Sequence, residues 1–218
     1  MKERYFTPEN IYEKSQKIFH KLRQYREKHR INFKPGDSAL LILDMQRYFL
    51  DKSSHAYIPS ATAVIPNAKN LMNAFLKNNL TVILTQHINA KDDANPMSKW
   101  WKDSIREEDI RSEIIPELNH SDTTVIKKTQ YDAFHKTSLE NLLKEKRITQ
   151  IVITGVMTHL CCETTARSAF LKGFTVFFTI DGTATYNEEF HHASLLNLSH
   201  GFAIPVLCKE LQDTLESV

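Results

Sequence analysis

Short apolar runs of strand length recur from residue 38 onward: SALLILD (38–44), TVILTQ (81–86), TVIKK (124–128), QIVITG (150–155) and FTVFFTI (174–180), with FAIPV (202–206) a weaker sixth. Strands that are apolar almost throughout are buried on both faces, the mark of a parallel sheet covered by helices. Between these runs the apolar spacing changes to three and four, which predicts helices over about 66–78, 138–146, 160–172 and 187–200. Strand and helix therefore alternate. The expected fold is α/β, a three-layer αβα arrangement around an open, mainly parallel six-stranded sheet of Rossmann-like, doubly wound type.

Ahead of the first strand, Ile11, Tyr12, Ile18, Phe19, Leu22 and Tyr25 recur at helical spacing among many charges, predicting an amphipathic helix from about Glu9 to Arg30. The Pro35-Gly36 pair then marks a turn. Residues 1–34 read as a helical extension and 35–218 as one α/β domain, with the extension able to pack on its own domain or on a second subunit. From Asn89 to Asn119 the strand-helix rhythm breaks in a charged stretch that carries both tryptophans. A connection of that length is either a lid or binding loop, or a surface excursion with a short helix.

Composition narrows the chemistry. A formal net charge of +2 gives no field strong enough to point to nucleic acid or an anionic membrane. No apolar run approaches the ~20 residues that span a bilayer, and the N-terminus lacks the apolar core of a signal peptide, so a cytoplasmic location is expected. Five glycines, with no Gly-x-Gly-x-x-Gly or Walker-type loop, leave little to cradle phosphates, and no nucleotide cofactor is expected. Three cysteines, two of them adjacent, fit neither a disulfide framework nor a Cys-x-x-Cys zinc pattern. Cys208 reads as packing or surface.

In an open α/β sheet, ligands bind at the carboxyl ends of the strands. Those ends carry Asp44 after strand one, Gln86 and His87 after strand two, Lys127 and Lys128 after strand three, and GVMTHLCCETTARSAF (155–170) after strand four. A carboxylate at the edge of a buried strand needs a partner or a solvated cleft. Lys128 can supply that partner; alternatively Asp44 caps a turn and Lys128 lies at the surface. Helical phase separates the two adjacent cysteines. Cys162 shares a face with Ala166, Ala169 and Phe170, whereas Cys161 aligns with Thr165, Ser168 and Lys172. With Thr158 as the cap, Cys161 falls in the first helical turn, where the helix dipole favours a thiolate and free N–H groups can hold an oxyanion.

The motifs LLILDMQRYF, KTQYDAF and GVMTHLCCETTARSAF, each following a strand, resemble the isochorismatase-like hydrolases over about residues 38–206. That family includes nicotinamidases and other small-amide cysteine hydrolases. The resemblance implies a six-stranded, mainly parallel sheet, assembly as a homodimer or homotetramer, and a catalytic set on Asp44, Lys128 and Cys161. It further implies a cis peptide at Val156-Met157 and an oxyanion hole from the N–H groups of Met157 and Cys161. Two departures stand out. Nicotinamidases carry an Asp-x-His metal motif where this chain has Thr85-Gln86-His87, so no metal is expected. Isochorismatases, which cleave a vinyl ether without a nucleophile, generally have Gly where Cys161 stands.

The expected function is hydrolysis of a small amide or related C–N bond through Cys161, with Phe49, Gln86, His87, Trp100 and Tyr131 as pocket walls. The alternatives are isochorismatase-type vinyl ether cleavage with Asp44 as general acid, and a non-catalytic binding or scaffold member. A small-molecule substrate is the expected partner in either enzymatic case. A redox role for the Cys pair fits poorly, because adjacent residues on a helix project about 100° apart.

Overall fold

The computed structural model describes residues 1–89 and 96–217. Six strands, β1 (Ser38–Leu43), β2 (Thr81–His87), β3 (Thr124–Lys128), β4 (Gln150–Val156), β5 (Thr175–Ala184) and β6 (Ile204–Val206), form one sheet in the order β3-β2-β1-β4-β5-β6. Every neighbouring pair is parallel. The chain winds one way from β1 through β2 to β3, then returns to β4 on the other side of β1. The carboxyl ends of β1 and β4 thus flank the switch in strand order, where open α/β sheets bind ligands.

The helices are α1 (Ile11–His29), α2 (Arg47–Leu50), α3 (Ala61–Lys77), α4 (Pro96–Trp101), α5 (Leu139–Glu145), α6 (Glu163–Leu171), α7 (Glu188–Gly201) and α8 (Cys208–Glu216). Helices α3 and α8 pack together on one side of the sheet, and α1, α6 and α7 on the other. The central strands β1 and β4 are buried along their whole length, as their apolar runs predict. The edge strand β3 instead alternates, with Val125 and Lys127 exposed and Ile126 and Lys128 buried. None of the described helices is long and apolar enough to cross a membrane.

Helix α1 packs on its own chain. Its buried side chains Ile11, Ile18 and Leu22 join the main core, and Lys14 pairs with Glu188 at 2.8 Å. The segment before it runs the same way: Tyr5 and Phe6 are buried in that core, and the Glu3 N–H donates to the Tyr186 carbonyl at 2.6 Å.

Three elements differ from the sequence pattern. Helix α3 begins at Ala61 rather than near residue 66, and Pro66 lies inside it. Strand β5 runs on to Ala184, past the expected end at residue 180; Asp181 is buried and accepts from the Cys208 N–H at 2.8 Å, holding the start of α8. Helix α8, unforeseen in the sequence, buries Cys208, Leu211 and Leu215 on one face, so Cys208 is packing.

Gly155 is what lets β4 approach β1 here. It pairs with Leu43 and has φ +110°, and a Cβ on it would lie 2.1 Å from the Leu43 carbonyl oxygen. Only a residue without a side chain fits.

Candidate active site

Asp44 directly follows β1 and takes φ +51°, an uncommon backbone for a residue with a side chain. Its neighbour across the sheet, Thr85 on β2, fixes it twice. The Thr85 hydroxyl accepts from the Asp44 N–H at 3.1 Å and donates to Oδ1 at 2.6 Å. The second carboxylate oxygen lies 2.7 Å from Lys128 Nζ, and neither side chain has any exposed surface. Lys128 follows the sheet inward because alternate residues of an edge strand face opposite sides.

The Lys128 ammonium also donates to the Gln130 carbonyl at 2.8 Å, and it stands 3.3 Å from Cys161 Sγ and 3.4 Å from His87 Nδ1. Three strand ends thereby bring acid, amine and thiol together, as the sequence pattern predicts. Complete burial works against charge on Asp44, but the Lys128 ammonium, His87 and hydrogen bonds outweigh it and hold the carboxyl below its ordinary range. Burial likewise opposes charge on Lys128, and the Asp44 and Cys161 contacts reverse the balance and raise it. Acid and amine are both ionised at neutral pH.

Cys161 sits on a π-helical turn, Thr158–Cys162, that follows a cis peptide at Val156-Met157 and leads into α6. The cis bond falls where the motif resemblance places it. Thr158 does not cap this turn as expected from its position. Its hydroxyl pairs with the buried His191 Nδ1 at 3.0 Å, and the turn starts from Met157, whose carbonyl accepts from the Leu160 and Cys162 N–H groups. Cys162 points into the core with no exposed surface, as helical phase predicts.

The expectation of a Cys161 thiolate is corrected. Burial pushes the thiol well above its ordinary range, and the adjacent Asp44 charge adds to the rise, with Lys128 opposing. The resting arrangement is a neutral thiol beside a carboxylate and an ammonium.

Cys161 forms part of the wall of a cavity of about 60 Å³. At ~10–15 Å³ per water centre that is room for a handful of waters or one small planar molecule. Phe49, His87 and Tyr131, three of the expected wall residues, line it, and so does Met157, expected only as an oxyanion-hole N–H. Two predicted wall residues do not. The Gln86 side chain donates to the Ser112 carbonyl at 2.9 Å, on the opposite side of β2 from its neighbours, and Trp100 is 77% exposed. Trp101 takes the place expected of Trp100, its indole N–H donating to the Tyr131 hydroxyl at 2.5 Å. The long excursion after β2 therefore does cover the cavity, through Met97, Trp101, Asp103 and Ile105; its residues 90–95 lie outside the described part.

Sequence reasoning passed over Thr85, Tyr48, His55 and Asp103. Register provides a signal for the first: Ile42 pairs with Leu84, so the polar Thr85 in an apolar strand stands level with the end of β1. The other three meet only through tertiary contact between loops. The residues present do not fit a divalent cation, because the Thr85 hydroxyl is committed to Asp44 and no three His, Cys, Asp or Glu side chains converge among the described residues.

The isochorismatase domain family matches residues 38–210. The chain is 38% identical over 183 residues to Nicotinamidase 3 of Arabidopsis thaliana, an alignment covering 82% of this chain and 88% of that protein. It is 30% identical over 189 residues to the Isochorismatase of Bacillus subtilis, covering 84% of this chain and 59% of the relative. Among solved structures, a cysteine hydrolase from Pseudomonas syringae superposes with a TM-score of 0.82 at 23% identity, over 86% of this chain and 96% of that one.

Proposed function

The chain belongs to the isochorismatase family of hydrolases, and from that premise we propose that it hydrolyses a small amide through a covalent Cys161 intermediate. The observation that carries this reading is the convergence of Cys161 Sγ, in the wall of an aromatic cavity, with the Lys128 ammonium and the Asp44 carboxylate buried behind it.

The reaction begins from the neutral thiol. As Sγ attacks the amide carbon, the thiol proton passes to Asp44, so sulfur never has to exist as a free buried anion. The S–C bond forms, and the carbonyl oxygen becomes an oxyanion held by the N–H groups of Met157 and Cys161. Collapse breaks the C–N bond while Asp44 gives its proton to the departing nitrogen, which leaves as ammonia or an amine. Water then adds to the thioester with Asp44 again taking the proton. The S–C bond breaks, sulfur regains a proton, and a carboxylic acid is released. Lys128 keeps Asp44 ionised between these transfers and offsets the charge gathering around sulfur.

The similarity to an isochorismatase supports a second reading, in which Asp44 protonates a vinyl ether and Cys161 is a bystander. Two observations favour the amide. Asp44 is held in its ionised form, the wrong resting state for a general acid. Isochorismate is a dicarboxylate, and none of the described side chains lining the cavity is Lys or Arg.

Cys161→Ala tests the covalent step. With nicotinamide and other small amides as substrates, ammonia release falls about 10³-fold or more while the melting temperature stays close to that of the parent. Near-parental amide turnover by the variant sinks the mechanism, and pyruvate release from isochorismate by the same variant establishes the second reading in its place.

A further inference from the structure

The cavity has a polar cluster of its own, apart from the Asp44, Lys128 and Cys161 group. The Tyr48 hydroxyl donates to Asp103 Oδ2 at 2.7 Å and stands 2.6 Å from His55 Nε2, which lies 3.1 Å from the same Oδ2. The other oxygen, Oδ1, accepts from the Ser104 N–H at 2.8 Å. All three side chains line the same cavity as Cys161. Burial opposes charge on Asp103, but the Tyr48 and Ser104 hydrogen bonds and the nearby His55 and Arg111 hold it below the ordinary carboxylate range, so it is an anion at neutral pH.

Around this carboxylate the cavity is aromatic: Tyr48, Phe49, Trp101, Tyr131 and Tyr186 all contribute to its walls. Two cations that lie over lining tyrosine rings are already engaged. Arg111 is bound to Asp109 by three side-chain hydrogen bonds and stacks 5.7 Å from the centre of the Tyr48 ring. Lys2 donates to the His55 carbonyl and lies 4.8 Å over the Tyr186 ring. Neither belongs to the cavity lining. Among the described residues the lining holds these aromatic rings, the Asp103 carboxylate and the His55 and His87 imidazoles, but no Lys or Arg, and aromatic faces beside a carboxylate favour a positively charged ligand over an anionic one.

We propose that Asp103, with the aromatic walls, forms a cation subsite, and that the preferred substrate is a primary amide whose ring carries a positive charge, such as a quaternised nitrogen heterocycle. The charge rests among the aromatic faces near Asp103 while the amide carbon reaches Cys161. This assignment rests on the amide reading for the position of the amide, and it is tested by binding rather than by turnover.

Three primary amides on a six-membered aromatic ring, differing in charge, are titrated calorimetrically into Cys161→Ala: benzamide, 3-carbamoyl-1-methylpyridinium and 3-carbamoylbenzoate. The cation is expected to bind about tenfold or more tightly than benzamide, with the carboxylate weakest. In Cys161→Ala carrying Asp103→Asn, the preference of cation over benzamide is expected to shrink to within about threefold. A flat or reversed ranking in Cys161→Ala, or no binding by any of the three, overturns the subsite without reliance on the second variant. Turnover by the parent enzyme separates the two proposals. The expected ranking without ammonia release from any of the amides counts against the covalent mechanism alone, whereas ammonia release with a flat ranking counts against the charge preference alone.

Discussion

The floor and the walls of the cavity are built by different means. The floor is Cys161, which lines the cavity from the turn after β4, with Asp44 and Lys128 buried behind it at the ends of β1 and β3, whose register is fixed by the sheet. The walls come from separate loops joined by side-chain pairs, Tyr48 to Asp103 and Trp101 to Tyr131. In the floor, a displaced residue leaves an unpaired charge with no access to water. In the walls, it loses one hydrogen bond and some apolar contact. The groups proposed to react are thus held by the most constrained part of the fold, and the proposed ligand contacts come from parts that can be exchanged piecemeal.

The sharpest test of that contrast removes one floor charge. Lys128→Met leaves Asp44 unpaired and is expected to cost about 3–5 kcal/mol of stability in urea unfolding, together with essentially all activity. A variant of parental stability would show that the floor is no more constrained than the walls. Thr85→Val is the next largest perturbation. It strips one hydrogen bond from the Asp44 carboxylate and one acceptor from the Asp44 N–H, for an expected loss of about 1–3 kcal/mol. Because a hydrogen bond to the charged form is lost, the Asp44 pKa rises and the acid limb of the rate profile moves to higher pH.

Wall substitutions should act on binding. Trp101→Ala is expected to raise KM about tenfold with a smaller change in kcat, and Trp100→Ala to stay within about twofold on both. Equal effects from the two tryptophans would contradict the placement of the wall.

The smallest expected effect is that of pH on the parent enzyme. The folded Asp44 pKa is depressed, so its stabilisation is present above the unfolded value of ~3.9 and is lost as pH falls through the folded value. The folded Lys128 pKa is raised, so its contribution is present below ~10.4 and is lost only as pH rises through the folded value. Neither titrates between about pH 5 and 9, and kcat/KM should be flat there. A rise centred near pH 8.5, the mark of a freely ionising thiol, would break the neutral-thiol picture.

The floor was legible in the sequence for the same reason that it is rigid. A parallel strand reads as an apolar run, and the residue that interrupts it marks its carboxyl end, which identifies Asp44 and Lys128. Helical phase then separates Cys161 from Cys162. The charge state of Cys161 was not legible. A dipole argument from helix position omits burial and the Asp44 charge, and both push the thiol the other way. The walls were poorly legible because no local rule decides between Trp100 and Trp101 in a six-residue helix. Gln86 was misplaced because strand alternation turns it away from Thr85 and His87. In β5, Asp181-Gly182 has the composition of a turn, and distant partners, the Cys208 N–H and the Asn67 side-chain amide, explain a buried aspartate there.

Gly155 bears on the proposed chemistry through the spacing of two strands. Its missing methyl group sets how closely β4 lies against Leu43, the residue before Asp44, and so, in the proposed mechanism, bears on the spacing between the Cys161 turn and Asp44. Proton transfer is steeply sensitive to donor–acceptor distance, and even alanine would act as a wedge between the two strands. A hydrogen atom on the backbone is, in effect, the spacer between the two central strands.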